Sequence, residues 1–275
     1  MSNTNLNPDR VLIFDLKGPM AHFRKYYTNS SSLSYLFPPR TVIIGLIAGL
    51  LGFPSERHTN DYNDSYYEKF NKARCFTTVS LRTKIRRIMQ TVNYIKTKTD
   101  NQSKYSFEAL ITGTRGAPTQ IPLEILLPEK TDEISYRVYF YHVDGGIYSK
   151  LKERLEEHRF VFPPYLGITE FLASIDYIDE GRLQKNSVNK IEVNSVCNLE
   201  DIKEIDINSN GNELQYITEK MPIDFLNDRT PKKFNKYLAE INCRKMRLIV
   251  KDNAVPYLVK YSENGCRLSE NIMFM

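Results

Sequence analysis

Val11-Leu12-Ile13-Phe14-Asp15-Leu16-Lys17 opens the stretch that decides the fold. It continues as Gly18-Pro19-Met20-Ala21-His22-Phe23-Arg24, a polar and aromatic loop to Tyr35, Phe37-Pro38-Pro39-Arg40-Thr41, and the apolar run Val42 to Leu51, closed by Gly52. The first run is rich in β-branched and aromatic residues and stops at Gly-Pro, as a strand does. Pro39 suits a first helical turn, and Gly52 suits the left-handed residue after a last one. The stretch therefore reads as strand, cationic loop, helix.

That helix is apolar on nearly every face, which predicts burial. It is too short for a bilayer, which takes roughly 20 apolar residues. Gly45 and Gly49, four apart, predict one side able to lie close against a sheet. Its N-terminus has unpaired N–H groups and a partial positive charge beside Arg40 and Thr41, a place suited to phosphate. The plainer alternative is a capped helix end with a solvated arginine.

Residues 16–55 hold Lys17, Arg24, Lys25 and Arg40 and no acid, with His22, Phe23, Tyr26, Tyr27 and Tyr35 interleaved. Cations beside aromatics match single-stranded RNA recognition, which combines phosphate neutralisation with base stacking. A second window, residues 82–104, holds Arg82, Lys84, Arg86, Arg87, Lys96, Lys98 and Lys104 against Asp100 alone. The two windows carry +4 and +6 of a net +5, so the rest of the chain is net −5. Such segregation is the footprint of a polyanion partner; a solvated basic face is the alternative.

These residues also resemble a known family. Gly18-Pro19-x-Ala21-His22-Phe23-Arg24, Ser34-Tyr35-x-Phe37-Pro38-Pro39-Arg40-Thr41 and Gly45-Leu46-Ile47-Ala48-x-Leu50-Leu51-Gly52 are similar to the start of the fifth Cas (CRISPR-associated) family, of the RAMP superfamily. Phe162-Pro163-Pro164-Tyr165-Leu166-Gly167, followed by Glu170-Phe171-Leu172-Ala173, resembles its subtype I-B flavour. Thr119-Gln120-Ile121-Pro122-Leu123-Glu124 is similar to a segment after the family's extended hairpin. The three lie in family order. The resemblance implies a subunit gripping the repeat-derived 5′ handle of the guide RNA (crRNA) in a type I surveillance (Cascade) complex. It further implies as partners a family 7 backbone subunit, a family 8 large subunit, and target DNA through the assembled complex.

Along the rest of the chain, Cys75–Leu81 and Arg82–Tyr94 read as extended, with 96–104 as a tip and Tyr105–Ile111 returning antiparallel. A basic hairpin thumb over about 83–118 is expected, and the resemblance implies the same. Gln120–Leu127 and Ile134–Val143 read as a strand pair. Ile147, Leu151 and Leu155 at helical spacing predict an amphipathic helix over 147–160, and Phe171–Ile178 a further strand. The order matches a split βαβ, ferredoxin-like α+β fold, whose open sheet face can hold single-stranded RNA. The expected layout is residues 1–181 as the RNA-binding domain and 182–275 as a smaller β-rich portion. Turns are expected at Ser209-Asn210-Gly211, Asp252-Asn253 and Ser262-Glu263-Asn264-Gly265. The acidic first half of that portion suits a protein partner better than RNA.

Composition is that of a soluble globular chain, and the polar first ten residues lack the apolar core of a signal peptide. A cytoplasmic, membrane-free protein is expected. The four cysteines are scattered without metal-ligand spacing, and the four histidines are dispersed, so neither metal nor cofactor is expected. Metal-independent RNA cleavage needs an acid, a base and a charge stabiliser at one phosphate. His22, Tyr26 or Tyr27, and Lys25 are the candidates. A precursor-cleaving relative of subtype I-C pairs a tyrosine with a later Lys-His dipeptide, and no such dipeptide occurs here. The expected function is therefore a non-catalytic cap on the 5′ handle, with a precursor-cleaving endoribonuclease as the rival. The expected contacts are Arg24, Lys25, Arg40 and Arg115 on phosphates, Tyr27 and Tyr35 under bases, and His22, Thr41, Arg86 and Arg87 alongside.

Overall fold

The computed structural model describes residues 8–28, 32–56, 58–59, 65–95, 118–206, 214–226 and 229–275. The expected contact Arg115, the hairpin tip with its return strand at 105–111, and the turn at 209–211 lie outside them.

Strand β1 (Arg10–Gly18) is central, and its apolar run is buried on both faces. Its alternation divides two cores. Leu12, Phe14 and Leu16 face the helices. Val11 and Ile13 face a second cluster with Tyr139, Val259 and Tyr261. The chain then forms the short pair β2 (Phe23–Arg24) and β3 (Ser34–Tyr35), helix α1 (Arg40–Leu51), the single turn α2 (Tyr66–Lys69) and strand β4 (Cys75–Leu81). Gly52 ends α1 at φ 77°, in the left-handed region. Neither helix glycine meets a sheet, against the expectation from their spacing. A Cβ at Gly45 would meet the Tyr66 hydroxyl at 3.2 Å, whereas one at Gly49 would meet nothing within 4 Å.

Strands β5 (Ile85–Ile95) and β6 (Pro118–Pro128) pair with each other from Ile85↔Pro128 to Ile95↔Pro118. This differs from the sequence reading, which paired the segment at 120–127 with the next strand. That strand, β7 (Ile134–His142), instead lies between β1 and β4. Helix α3 (Gly145–Glu156) follows, its N-cap Asp144 accepting from the Gly146 and Ile147 amides. Those two bonds hold the Asp144 carboxyl below its usual range. Strand β8 (Ser174–Lys185) joins the first sheet on the far side of β1.

The later strands are β9 (Lys190–Val193), β10 (Cys197–Asn198), β11 (Ile202–Ile205), β12 (Tyr216–Phe225), β13 (Pro231–Glu240), β14 (Met246–Val250), β15 (Tyr257–Glu263) and β16 (Cys266–Ile272). Three sheets hold all eight: β10-β13-β12, β11-β14-β9 and the six-stranded antiparallel β16-β15-β8-β1-β7-β4. The boundary expected at residues 181/182 falls inside β8, and β15 and β16 rejoin the first sheet. Asn264 and Gly265, both at positive φ, make the tight turn between β15 and β16.

The large sheet curls. At about 4.8 Å per strand step, a flat sheet would hold β7 and β16 about 19 Å apart. Here the Tyr139 hydroxyl on β7 donates to Glu270 on β16, and Arg82 Nη2 reaches Glu270 Oε2 at 2.7 Å. The face expected to lie open for RNA is therefore filled: Val11, Ile13 and Tyr139 are fully buried and Arg137 is 4% exposed. Arg137 sits inside the curl. It grips Asp15 through Nε (2.7 Å) and Nη2 (2.9 Å), and Glu263 through both terminal nitrogens at 2.7 Å each.

Hydrogen bonds from Arg137 lower the Glu263 pKa. Burial alone would raise that of Glu270, but Arg82 and the tyrosine hydroxyls outweigh it, and the net direction is down. A carboxylate with a depressed folded pKa contributes in full above its unfolded value, about 4.3 for Glu, and loses that contribution as pH falls through the folded value. The urea midpoint is expected to drop as pH is lowered from 5 to 3; a flat or rising midpoint would contradict this assignment.

Candidate nucleic-acid interface

The loop from Gly18 to Tyr35 owes its position to β6. Ala21 and Leu126 exchange backbone hydrogen bonds at 3.1 and 2.9 Å, Ser32 N donates to Pro122 O at 2.8 Å, and Glu124 N donates to Ser32 O at 2.9 Å. His22 N donates to Leu166 O at 3.0 Å, which brings Gly167 against the loop. A Cβ at Gly167 would lie 1.8 Å from the His22 carbonyl oxygen, and its φ is 95°, so only glycine fits.

His22 is a brace inside this seam, 2% exposed. A carbonyl only accepts, so Nδ1–H donates to Glu124 O at 2.7 Å, and Nε2 accepts from Ser32 Oγ at 2.8 Å. Burial, with the charge of Arg24, pushes the ring pKa down against the pull of Glu124, so the neutral form is favoured. Both ring nitrogens are occupied by the protein itself.

Four other expected contacts are also turned inward. Tyr35 is 1% exposed; its hydroxyl donates to Lys220 O at 2.9 Å, and burial raises its pKa far above the usual phenol value. It offers no ring face to a base. Lys25 Nζ lies 2.7 Å from Glu219 Oε2 on β12, a residue itself 4% exposed. Arg40, 1% exposed, donates to Phe70 O and Cys75 O at 2.9 Å and to Ile223 O at 3.2 Å, with Asp224 at 3.9 Å. Thr41 beside it is 6% exposed. The start of α1 is thus an interior junction, and the phosphate expected there has no open approach.

The remaining expected residues face solvent. Arg24 is exposed, its Nη2 donating to Thr28 O at 3.0 Å. Tyr27 is 54% exposed and meets Tyr26, 43% exposed, edge to face at 5.1 Å. Arg87 reaches Glu219 at 3.5 Å and Glu124 at 3.9 Å. Arg86, next along β5, stands on the alternate face of the ribbon and is exposed. The geometry therefore keeps Arg24, Tyr26 and Tyr27 together on a loop whose other cation is internally neutralised.

Sequence reasoning missed the neutralising acids, Glu124 and Glu219. It also missed a second aromatic: Tyr26 packs on Phe234 of β13, with centroids 4.4 Å apart. The run Pro231-Lys232-Lys233-Phe234-Asn235-Lys236 carries the same mixture of cations and ring as the loop, and was the available signal. Among the described residues no group of three or more His, Cys, Asp or Glu could hold a metal, and no helix is long and apolar enough to cross a membrane.

The pattern of the family described as CRISPR-associated protein (Cas_Cas5) matches residues 11–115 of this chain. No curated protein matches it by sequence. A CRISPR protein from Archaeoglobus fulgidus superposes with a TM-score of 0.51 at 10% identity, covering 95% of this chain and 98% of that one, and shows a common fold. A chain of a CRISPR RNA-guided surveillance complex gives 0.45 at 12% identity, over 86% of this chain and 91% of that one. A chain of the Type III-B Cmr-beta complex bound to cognate target RNA and AMPPnP also gives 0.45 at 12% identity, over 87% and 86%.

Proposed function

We propose that the chain is a non-catalytic, RNA-binding subunit of a type I CRISPR surveillance complex that caps the 5′ handle of the crRNA. In this reading its neighbours are the family 7 backbone and family 8 large subunits, and it meets target DNA only through the complex. The match of residues 11–115 to the Cas_Cas5 pattern supports a place in such an assembly. The strand order β8-β1-β7-β4, with α1 and α3 as crossovers, supports the ferredoxin-like reading. The observation that carries the RNA assignment is the exposed trio Arg24, Tyr26 and Tyr27 on a loop hydrogen-bonded to β6. Arg86 is a second exposed cation, on the hairpin.

Anisotropy titration of a fluorescent repeat-derived RNA octamer at 50 to 300 mM salt tests it. Each phosphate contact contributes about 0.7 to the slope of log affinity against log salt for a single strand, so Arg24→Gln with Arg86→Gln is expected to flatten the slope by about 1.4. Tyr27→Ala is expected to weaken binding by about 1–3 kcal/mol without changing the slope. Wild-type binding with no salt dependence would reject the phosphate contacts. Site-specific cutting of the RNA without metal would reject the non-catalytic reading in favour of the endoribonuclease.

A further inference from the structure

We infer that the outward face of the β12–β13 hairpin is a second nucleotide-binding segment, taking single-stranded RNA that runs on from the loop. The inference rests on the RNA-binding reading of that loop. Charge on the two strands of the hairpin is sorted by burial. The three acids on its strands are buried: Glu219 is 4% exposed and held by Lys25, Asp224 accepts from Lys72 N at 3.1 Å, and Glu240 accepts from Gln215 N and Arg244 N at 3.0 and 2.7 Å. Its four lysines, Lys220, Lys232, Lys233 and Lys236, are all exposed. None of the four makes an ion pair with another described residue. Lys220 and Lys236 are direct cross-strand partners. Like charges opposite one another are unfavourable in a ladder and become favourable once an anion lies between them.

Two further observations point to a nucleotide rather than to a simple anion. Phe234, beside these lysines, carries Tyr26 on its ring at 4.4 Å and Lys220 at 5.6 Å, so the loop's aromatics continue onto the hairpin. A recess of about 330 Å³ lies next to the rings, lined by Leu199, Glu200, Lys220, Phe234, Asn235 and Lys236. Glu200 at the rim keeps a phosphate to the lysine side. The arrangement supplies a ring to stack on and paired ammonium groups for the backbone.

The test uses the full chain and single-stranded RNA 8 and 14 nucleotides long. Lys220→Gln with Lys236→Gln is expected to weaken binding of the 14-mer and to lower its salt slope by about 1.4. Because it removes a like-charge pair, the variant should melt no lower than wild type. Phe234→Leu should weaken the 14-mer 5-fold or more with the slope unchanged. If wild type binds RNA and the lysine variant binds the 14-mer with unaltered affinity and slope, this segment is refuted while the loop assignment stands. If wild type binds neither RNA, the loop reading falls first. Displacement of RNA by an equal concentration of a glutamate decapeptide would overturn the nucleotide assignment in favour of an acidic protein partner.

Discussion

Replacing Arg137 with methionine is expected to lower the free energy of unfolding by about 3–5 kcal/mol, as removal of one member of a buried ion cluster does. The guanidinium is the shared partner of Asp15, on the central strand, and Glu263, at the end of β15. Methionine would leave the Asp15 carboxylate, with a side chain only 8% exposed, without its cation. It would also release the clamp that brings β15 back over β7. Urea unfolding at pH 7 measures the loss. Adding Asp15→Leu and Glu263→Gln to the variant should recover much of it, because the penalty arises from orphaned charge rather than from missing attraction. A loss below 1 kcal/mol for the single variant would mean that the cluster is not what holds the curl.

Arg40→Met carries a comparable expected loss, about 3–5 kcal/mol, for a different reason. Three carbonyls from separate segments, those of Phe70, Cys75 and Ile223, converge on this one side chain. Each buried acceptor left unpaired costs about 1–3 kcal/mol. Lysine should rescue poorly, since a single ammonium on a flexible stem cannot reproduce the planar fork. The measurement that separates structure from binding is RNA affinity at a temperature where the variant remains folded. Unchanged affinity with a lowered melting temperature is the expected pair of results. A selective loss of affinity and salt slope at wild-type stability would restore Arg40 to the RNA surface.

Local chemistry made much of the fold readable. The β-branched run at Val11–Phe14, the apolar segment ending at Gly52, the 147/151/155 spacing and Asn264-Gly265 each report on a few neighbouring residues, and the corresponding elements form. Which cations face solvent was not readable, because the answer lies far along the chain. Lys25 finds its carboxylate 194 residues away, and one carbonyl on Arg40 is 183 residues away. An arginine before an apolar helix has the same local pattern whether it meets a phosphate or three carbonyls. The closing of the sheet was hidden for the same reason, since β15 and β16 join it only after the chain has built two other sheets. On β12 and β13 the net charge is nearly balanced, so a window count saw nothing there.

The sorting of charge on that hairpin makes the sign of its outer potential a matter of strand alignment rather than of composition. Glu219 and Lys220 are neighbours, and a slip of one residue would turn the carboxylate outward and bury the ammonium. The irregularities between Pro222, Asp224 and Phe225 lie where such a slip would have to pass. Deleting one residue there would leave the amino-acid inventory almost untouched while setting a carboxylate among the exposed lysines. Affinity for RNA would then be governed by the alignment of two strands.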